Sequence, residues 1–211
     1  AYFEDFWGAE LDPDSGLTVV EIMDAVHAGT IRGMYIMGEN PAMSDPDAQH
    51  AREALARLEH LVVQDLFLTE TAFHADVILP ASAFPEKDGS FTNTNRQVQI
   101  GRTALPLPGE ARQDIWIIQE IARRMGLDWN YAGSEDVFAE LQACMPSIKG
   151  LTWARLDAED AVTYPVEAVD RPGTPVIFGD GFPTATGRGR FVVAALTPPD
   201  ETPDETYPMI L

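Results

Sequence analysis

The chain has 211 residues, 14 Lys+Arg against 34 Asp+Glu, a formal charge of −20, a single Cys and 45% hydrophobic residues. That length suffices to bury roughly 70% of the unfolded surface without metals or disulfides, and the lone Cys144 excludes a disulfide framework, zinc ribbons and cysteine-ligated iron-sulfur clusters. A pI near 4.3 opposes binding to a phosphate backbone, which depends on Lys and Arg. No apolar run reaches the roughly 18 residues of a membrane span, and A-Y-F-E-D-F-W lacks the basic start of a signal peptide. These features predict a soluble, cytoplasmic protein without nucleic-acid or membrane contact. Ala1 in place of Met, and the apolar end Y-P-M-I-L, predict a piece of a longer polypeptide, cut within a strand.

Residues 1–16 carry Gly8, Pro13 and Gly16 without periodicity and read as an irregular lead-in. Thr18 and Glu21 then form a capping box for a helix with Val19, Ile22, Met23 and Val26 on one face, stopped by Gly29. A strand at Met34–Met37 ends at Gly38. Asp45-Pro46 supplies an N-cap and a first-turn Pro for a helix from Pro46 to His60, with Ala51, Leu55 and Leu58 inward. A second strand covers Leu61–Gln64, one or two helical turns Phe67–His74, and a third strand Asp76–Leu79. Strand, helix, strand, short helix, strand at this spacing predicts a parallel βαβ unit.

Residues 81–110 are rich in loop signals, with one strand at Val98–Ile100. Asp114–Met125 is a helix with Ile118, Ile121, Ala122 and Met125 inward, and another helix covers Glu135–Cys144, where Cys144 is packing. Val176–Phe178 and Arg190–Val193 suggest a small β-hairpin, and Pro198–Pro208 an acidic, Pro-rich linker. The fold class is therefore α/β: a Rossmann-like parallel βαβ sheet with flanking helices, followed by a small irregular/β segment. The expected divisions are 1–16 lead-in, 17–128 Rossmann-like part, 129–170 helical or loop connection, and 171–211 hairpin and linker.

Parallel sheets bind ligands outside the carboxyl ends of their strands. Three loops qualify: Gly38–Asp45, Asp65–Thr69 and Pro80–Arg96. Gly38 permits close backbone approach, and Glu39 and Asn40 follow it. Asp65 stands where a carboxylate can accept from a ribose diol or the N–H edge of guanine, and Thr69 lies one turn on. For Asp65, a ligand contact and a cap on the short helix stand level. Glu86 and Asp88 fit an acid/base pair or ordinary turn composition. G-R-G-R at 187–190 reads as a turn, and D-L-F-L-T lacks the second Asp of an aspartyl-phosphate loop. His27, His50, His60 and His74 read as solvated surface. No nucleophile-base pair, catalytic residue or metal-ligand set emerges.

Five strings in order, M-G-E-N-P-A-M-S-D-P-D (37–47), V-V-Q-D-L-F-L-T-E-T-A (62–72), A-D-V-I-L-P-A-S-A-F-P-E-K-D-G-S-F-T-N-T-N-R-Q-V-Q (75–99), A-R-Q-D-I-W-I-I-Q-E-I-A-R-R-M-G (111–126) and F-P-T-A-T-G-R-G-R-F (182–191), resemble the catalytic α subunit of molybdenum- or tungsten-dependent formate dehydrogenases, in the molybdopterin oxidoreductase superfamily. The resemblance spans nearly the whole chain. It implies that Gly38, Glu39 and Asn40 line a molybdopterin guanine dinucleotide, that Asp65 and Thr69 contact its nucleoside end, and that Asn95 and Arg96 lie near it. It also implies that the metal-ligating Cys or selenocysteine, its His, the formate-orienting Arg and the iron-sulfur motifs belong to segments outside this chain. The isolated chain is thus expected to be inactive. The whole enzyme would oxidise formate to CO2, passing electrons through iron-sulfur clusters and electron-transfer subunits to NAD or another acceptor. The remainder of the α subunit is the implied first partner. The alternatives are a fragment of another superfamily member, such as a nitrate reductase or the large subunit of an NADH dehydrogenase, and a stand-alone nucleotide-binding module.

Overall fold

In the computed structural model, which describes residues 2–197 and 202–209, helix begins within the stretch expected to be irregular. Helix α1 (Tyr2–Trp7) is held by its rings. Phe3 and Trp7, one turn apart, stack with centroids 5.2 Å apart. Tyr2 Oη donates to the Ala143 carbonyl at 3.3 Å and Trp7 Nε1 to Glu140 Oε1 at 3.2 Å. Those partners lie 141 and 133 residues further on, out of reach of a local reading.

Helix α2 (Val19–His27) starts at the expected capping box: the Thr18 N–H donates to Glu21 Oε2 at 2.7 Å and Thr18 Oγ1 accepts from the Glu21 N–H. Met23 and Val26 are buried, whereas Val19 is 54% exposed and leaves the expected inner face. Strand β1 (Gly33–Met37) leads into the single turn α3 (Pro41–Ser44) and then α4 (Ala48–Leu55). The cap of α4 is Asp47, whose carboxylate accepts from the His50 N–H at 3.0 Å; Asp45 instead accepts from the Asp47 N–H at 3.3 Å. The helix is shorter than Pro46–His60 because the chain is pulled into strand β2 (His60–Asp65), where the Glu59 N–H donates to the Arg32 carbonyl and the Leu61 N–H to Asp76. A 3₁₀ turn at Ala72–His74 replaces the expected helical turns before β3 (Val77–Pro80).

The three strands form a parallel sheet in the order β1-β2-β3, with Ile36, Val63 and Ile78 in register. One face packs Ile36, Leu61 and Val63 against Ala42, Leu55 and Ala72. Met23 and Val26 of α2 pack on Ala51 and Ala54 of α4, and Met34 joins both clusters, so α2 and α4 share that face.

A second sheet is antiparallel. Strands β4 (Gly89–Thr92) and β5 (Gln97–Gly101) form a hairpin, after which come α5 (Asp114–Arg124), α6 (Ser134–Cys144), α7 (Trp153–Glu159) and β6 (Ala161–Thr163), which pairs with β5. Val98, Phe138, Ile148, Leu151, Leu156, Val162 and Val166 form its core, so residues 129–170 supply a sheet strand and most of a hydrophobic cluster where only a connection was expected. On α5 the buried positions are Ile117, Gln119 and Ala122, while Met125 is 74% exposed. Gln119 is tolerated inside because its amide both donates to and accepts from the Tyr131 backbone, at 3.2 and 2.6 Å. Cys144 is buried as expected.

Residues 1–175 make one unit and 176–211 another, each with its own contacts. Within the second, the expected hairpin does not form: among the described residues neither 176–178 nor 190–193 is strand. Phe178 and Phe182 stack at 5.3 Å, and the Phe182 N–H donates to the Gly187 carbonyl, closing a turn at the G-R-G-R motif. Phe191 and Val193 are almost wholly exposed; an apolar strand without a partner face gains nothing by ordering. Of the expected linker, residues 198–201 lie outside the described residues and 202–208 hold neither helix nor strand; the strand expected to end at Leu211 also reaches beyond the described residues.

Candidate functional site

The loops after β1, β2 and β3 open at one end of the parallel sheet. Gly38 extends the ladder, its N–H donating to the Gln64 carbonyl at 2.9 Å, and then turns the chain at φ +66°. A Cβ placed there would meet nothing within 4 Å, so glycine serves the left-handed turn and the space beside it is open. Glu39 is exposed. Asn40 ties two loops together: its Oδ1 accepts from the Thr71 N–H (3.1 Å) and Thr71 Oγ1 (2.8 Å), and its Nδ2 donates to Glu70 at 2.7 Å. That last bond holds the Glu70 carboxyl below its ordinary value. Thr71, fully buried, accepts in turn from the Ala42 N–H. Asn40 is therefore committed to shaping the mouth.

Asp65 resolves into two roles, one for each oxygen. Oδ1 accepts from the Leu66 and Phe67 N–H groups at 2.6 and 3.4 Å, closing the loop rather than capping a helix. Neither bond uses Oδ2, which stays open as an acceptor. The Asp65 carbonyl accepts from the Ala81 N–H at 3.0 Å, which links the second loop to the third. Thr69 Oγ1 accepts from the Ala72 N–H and so steadies the 3₁₀ turn.

Asn95 and Arg96 lie in the β4–β5 turn of the other sheet, and no hydrogen bond among the described residues joins them to the first two loops. Arg96, at φ +66°, donates through Nη1 to the carbonyls of Tyr164 and Thr174 (3.0 Å for the latter) and through Nη2 to that of Pro175 (2.8 Å). Asn95 pairs with Gln97 at 2.9 Å. Glu86 and Asp88 accept from the backbone N–H groups of Ala83 and Thr103, the turn role weighed for them. His27 and His50 are not simply solvated: their rings stack at 4.1 Å between α2 and α4, and His50 Nε2 lies 3.0 Å from Asp24.

Two features escaped the sequence reading. Gln64, fully buried at the end of β2, accepts from Tyr35 Oη and donates to Asp114 Oδ1 at 2.7 Å; Lys87 Nζ completes the chain on Asp114 Oδ2. Burial, then the Asp114 charge, push the Tyr35 hydroxyl above its usual value. The only signal was a Gln inside an apolar run. The second is Asp45, whose Oδ2 is buried without a partner beside a groove of about 500 Å³ along β1.

The mouth thus offers acceptors, and suits a ligand presenting N–H or O–H groups. Among the described residues no cluster of three or more His, Cys, Asp or Glu could hold a metal, and no helix is long and apolar enough to cross a membrane.

A family model described as Molybdopterin oxidoreductase matches residues 7–124. The α subunit of an F420-dependent formate dehydrogenase of Methanocaldococcus jannaschii is 44% identical over 211 residues, 99% of this chain and 31% of that protein. The assimilatory nitrate reductase catalytic subunit of Bacillus subtilis is 35% identical, over 100% of this chain and 31% of its own length. The chain therefore spans about a third of the curated relatives it matches. Among solved structures, acetylene hydratase from Pelobacter acetylenicus superposes with a TM-score of 0.62 at 21% identity, covering 80% of this chain and 23% of that one, a likeness of fold. With the family match running over more than half of its residues, and a parallel sheet presenting its loops at one mouth, the chain belongs to the molybdopterin oxidoreductase family.

Proposed function

We propose that this chain is the part of a formate dehydrogenase α subunit that holds the nucleoside end of a molybdopterin guanine dinucleotide. The observation that carries the reading is Asp65 at the carboxyl end of β2, with Oδ1 spent on its own loop and Oδ2 open. The donor set was tested against that group. A guanine edge or ribose diol offers donors, and Asp65 Oδ2 and the orphaned Asp45 Oδ2 are acceptors, so the nucleoside end fits. The pyrophosphate needs cations or N–H donors, which in this proposal come from the rest of the subunit.

Gly38 keeps the space beside β1 clear, Glu39 faces the mouth, and Asn40, through Thr71, holds the first two loops at a fixed spacing. Thr69 steadies the second loop. Arg96 enters as a positioning residue, since backbone carbonyls occupy its guanidinium, and Asn95 shares its turn. When bound, the cofactor supplies the molybdenum or tungsten centre at which formate is oxidised to CO2. Electrons would leave through iron-sulfur clusters and partner subunits outside this chain, toward NAD or another acceptor; the F420 in the name of the archaeal relative makes a deazaflavin one such acceptor. A second reading, a nitrate reductase fragment, rests on the 35% identity to that enzyme over the whole chain.

Asp65→Asn tests the proposal in the full-length subunit. It keeps an oxygen for the Leu66 N–H and replaces the other acceptor with a donor, so the fold should persist while guanine nucleotide released on denaturation falls about tenfold. Unchanged nucleotide content in a folded variant would remove Asp65 from the site.

A further inference from the structure

Strand β1 is an edge of the parallel sheet, pairing with β2 alone. The Gly38 N–H bonds to the Gln64 carbonyl, and backbone groups alternate in direction along a strand. The N–H and C=O groups of Met34 and Ile36 therefore face β2, and those of Tyr35 and Met37 line the free edge. Exposed edges in natural proteins are blunted by charge, proline or a bulge. β1 reads G-M-Y-I-M and has none of these. Beside it runs the 500 Å³ groove, whose other wall is Val19, Ile22 and Met23 of α2.

The position of α2 says what belongs there. α4 connects β1 to β2, and a strand-helix-parallel strand connection is right-handed in nearly all proteins. α2 runs into β1 from the same face as α4, packed on it through Met23, Val26, Ala51 and Ala54. It therefore stands as the crossover helix of one more βαβ unit, whose first strand lies on the far side of β1. The residues just before α2 do not supply that strand: α1 bonds to Glu140 and Ala143 of α6. The relatives, about three times as long, contain ample further polypeptide.

We infer that an apolar strand of the same subunit, from outside these 211 residues, pairs in parallel with the free edge of β1 and fills the groove against α2. This rests on the reading of the chain as part of a longer subunit. A parallel strand there ends at the mouth formed by Gly38, Asn40 and Asp65, so the loop that follows it becomes a further wall of the nucleotide site, placed to bring the phosphate donors this mouth lacks.

The test is amide exchange in the full-length subunit, resolved to single residues. The Tyr35 and Met37 amides should exchange at least about 100-fold more slowly than that of exposed Glu39, close to Ile36, as paired amides do. Exchange as fast as Glu39 overturns the pairing. A photo-crosslinking side chain at Val19 identifies the occupant: a link to another segment of the same polypeptide supports the inference, whereas a link to a second copy or a different subunit overturns it. Guanine nucleotide and metal content, measured on the same preparation, keep the two claims apart. Full content with fast β1 amides sinks the strand and leaves the cofactor reading standing; a metal-free protein with slow, self-linked β1 amides does the reverse.

Discussion

The parallel sheet β1–β3 and the antiparallel sheet β4–β6 each have three strands, yet they are finished to different degrees. The antiparallel sheet draws α6, α7 and the segment to Val166 around Val98, Leu151 and Leu156, and its hairpin turn is bolted to 164–175 by Arg96. The parallel sheet buries one face; on the other, Tyr35 and Met37 remain 44% and 49% exposed, and β1 keeps a free edge. Parallel sheets are ordinarily covered on both faces. A chain whose ligand loops sit on the less finished sheet owes that site's completion to its surroundings, while the antiparallel half supplies the scaffold.

The sharpest way to break this contrast is to cut into the self-contained half. Leu156→Ala, at a position 1% exposed, should cost about 2–5 kcal/mol of stability in denaturant titration, from lost burial and the cavity left. A cost well under 1 kcal/mol would mean that this cluster is no firmer than the open sheet. Next in size is Arg96→Ala, which strands three carbonyls and should cost about 1.5–3 kcal/mol, with faster amide exchange of Thr174 and its neighbours. Loss of guanine nucleotide with 164–175 still protected would move Arg96 from the scaffold into the site.

The smallest effect is a pH dependence on the open sheet. Tyr35 titrates above its ordinary 10.0 because burial and then Asp114 disfavour its phenolate. The unfolded chain therefore releases this proton first as pH rises. The contribution is present in full below pH 10, and is lost as pH climbs through the folded value. Tyr35→Phe should flatten the decline of the melting temperature above pH 10, with Tyr131, raised mainly by its bond to Glu140, left in both proteins as the residual slope. An identical alkaline profile would detach Tyr35 from the Gln64–Asp114–Lys87 chain.

Much of the parallel half was readable because its information is short-ranged. M-Y-I-M, L-V-V-Q and V-I-L are the near-continuous apolar runs of buried parallel strands, and the Thr18–Glu21 box forms within one helical turn. The loops at the carboxyl ends followed from that order of elements. What escaped was set by distant partners. Helix α1 depends on Glu140 and Ala143; β6 has three residues and is a strand only because β5 accepts it; Met125, apolar and at the right helical spacing, finds no neighbour. The Val176–Phe178 and Arg190–Val193 runs had strand composition and no sheet to join.

By itself, the sequence determined the three parallel strands, the caps and the loops that reach the mouth, since each depends on side chains a few residues apart. Only the tertiary structure decided that Asp65 splits its oxygens between loop and mouth, that Asn40 acts through Thr71, that Arg96 serves the scaffold, and that β1 has an open edge. Those outcomes depend on which backbone groups find partners tens of residues away, and hydrogen-bond satisfaction over such distances is a property of the packed chain.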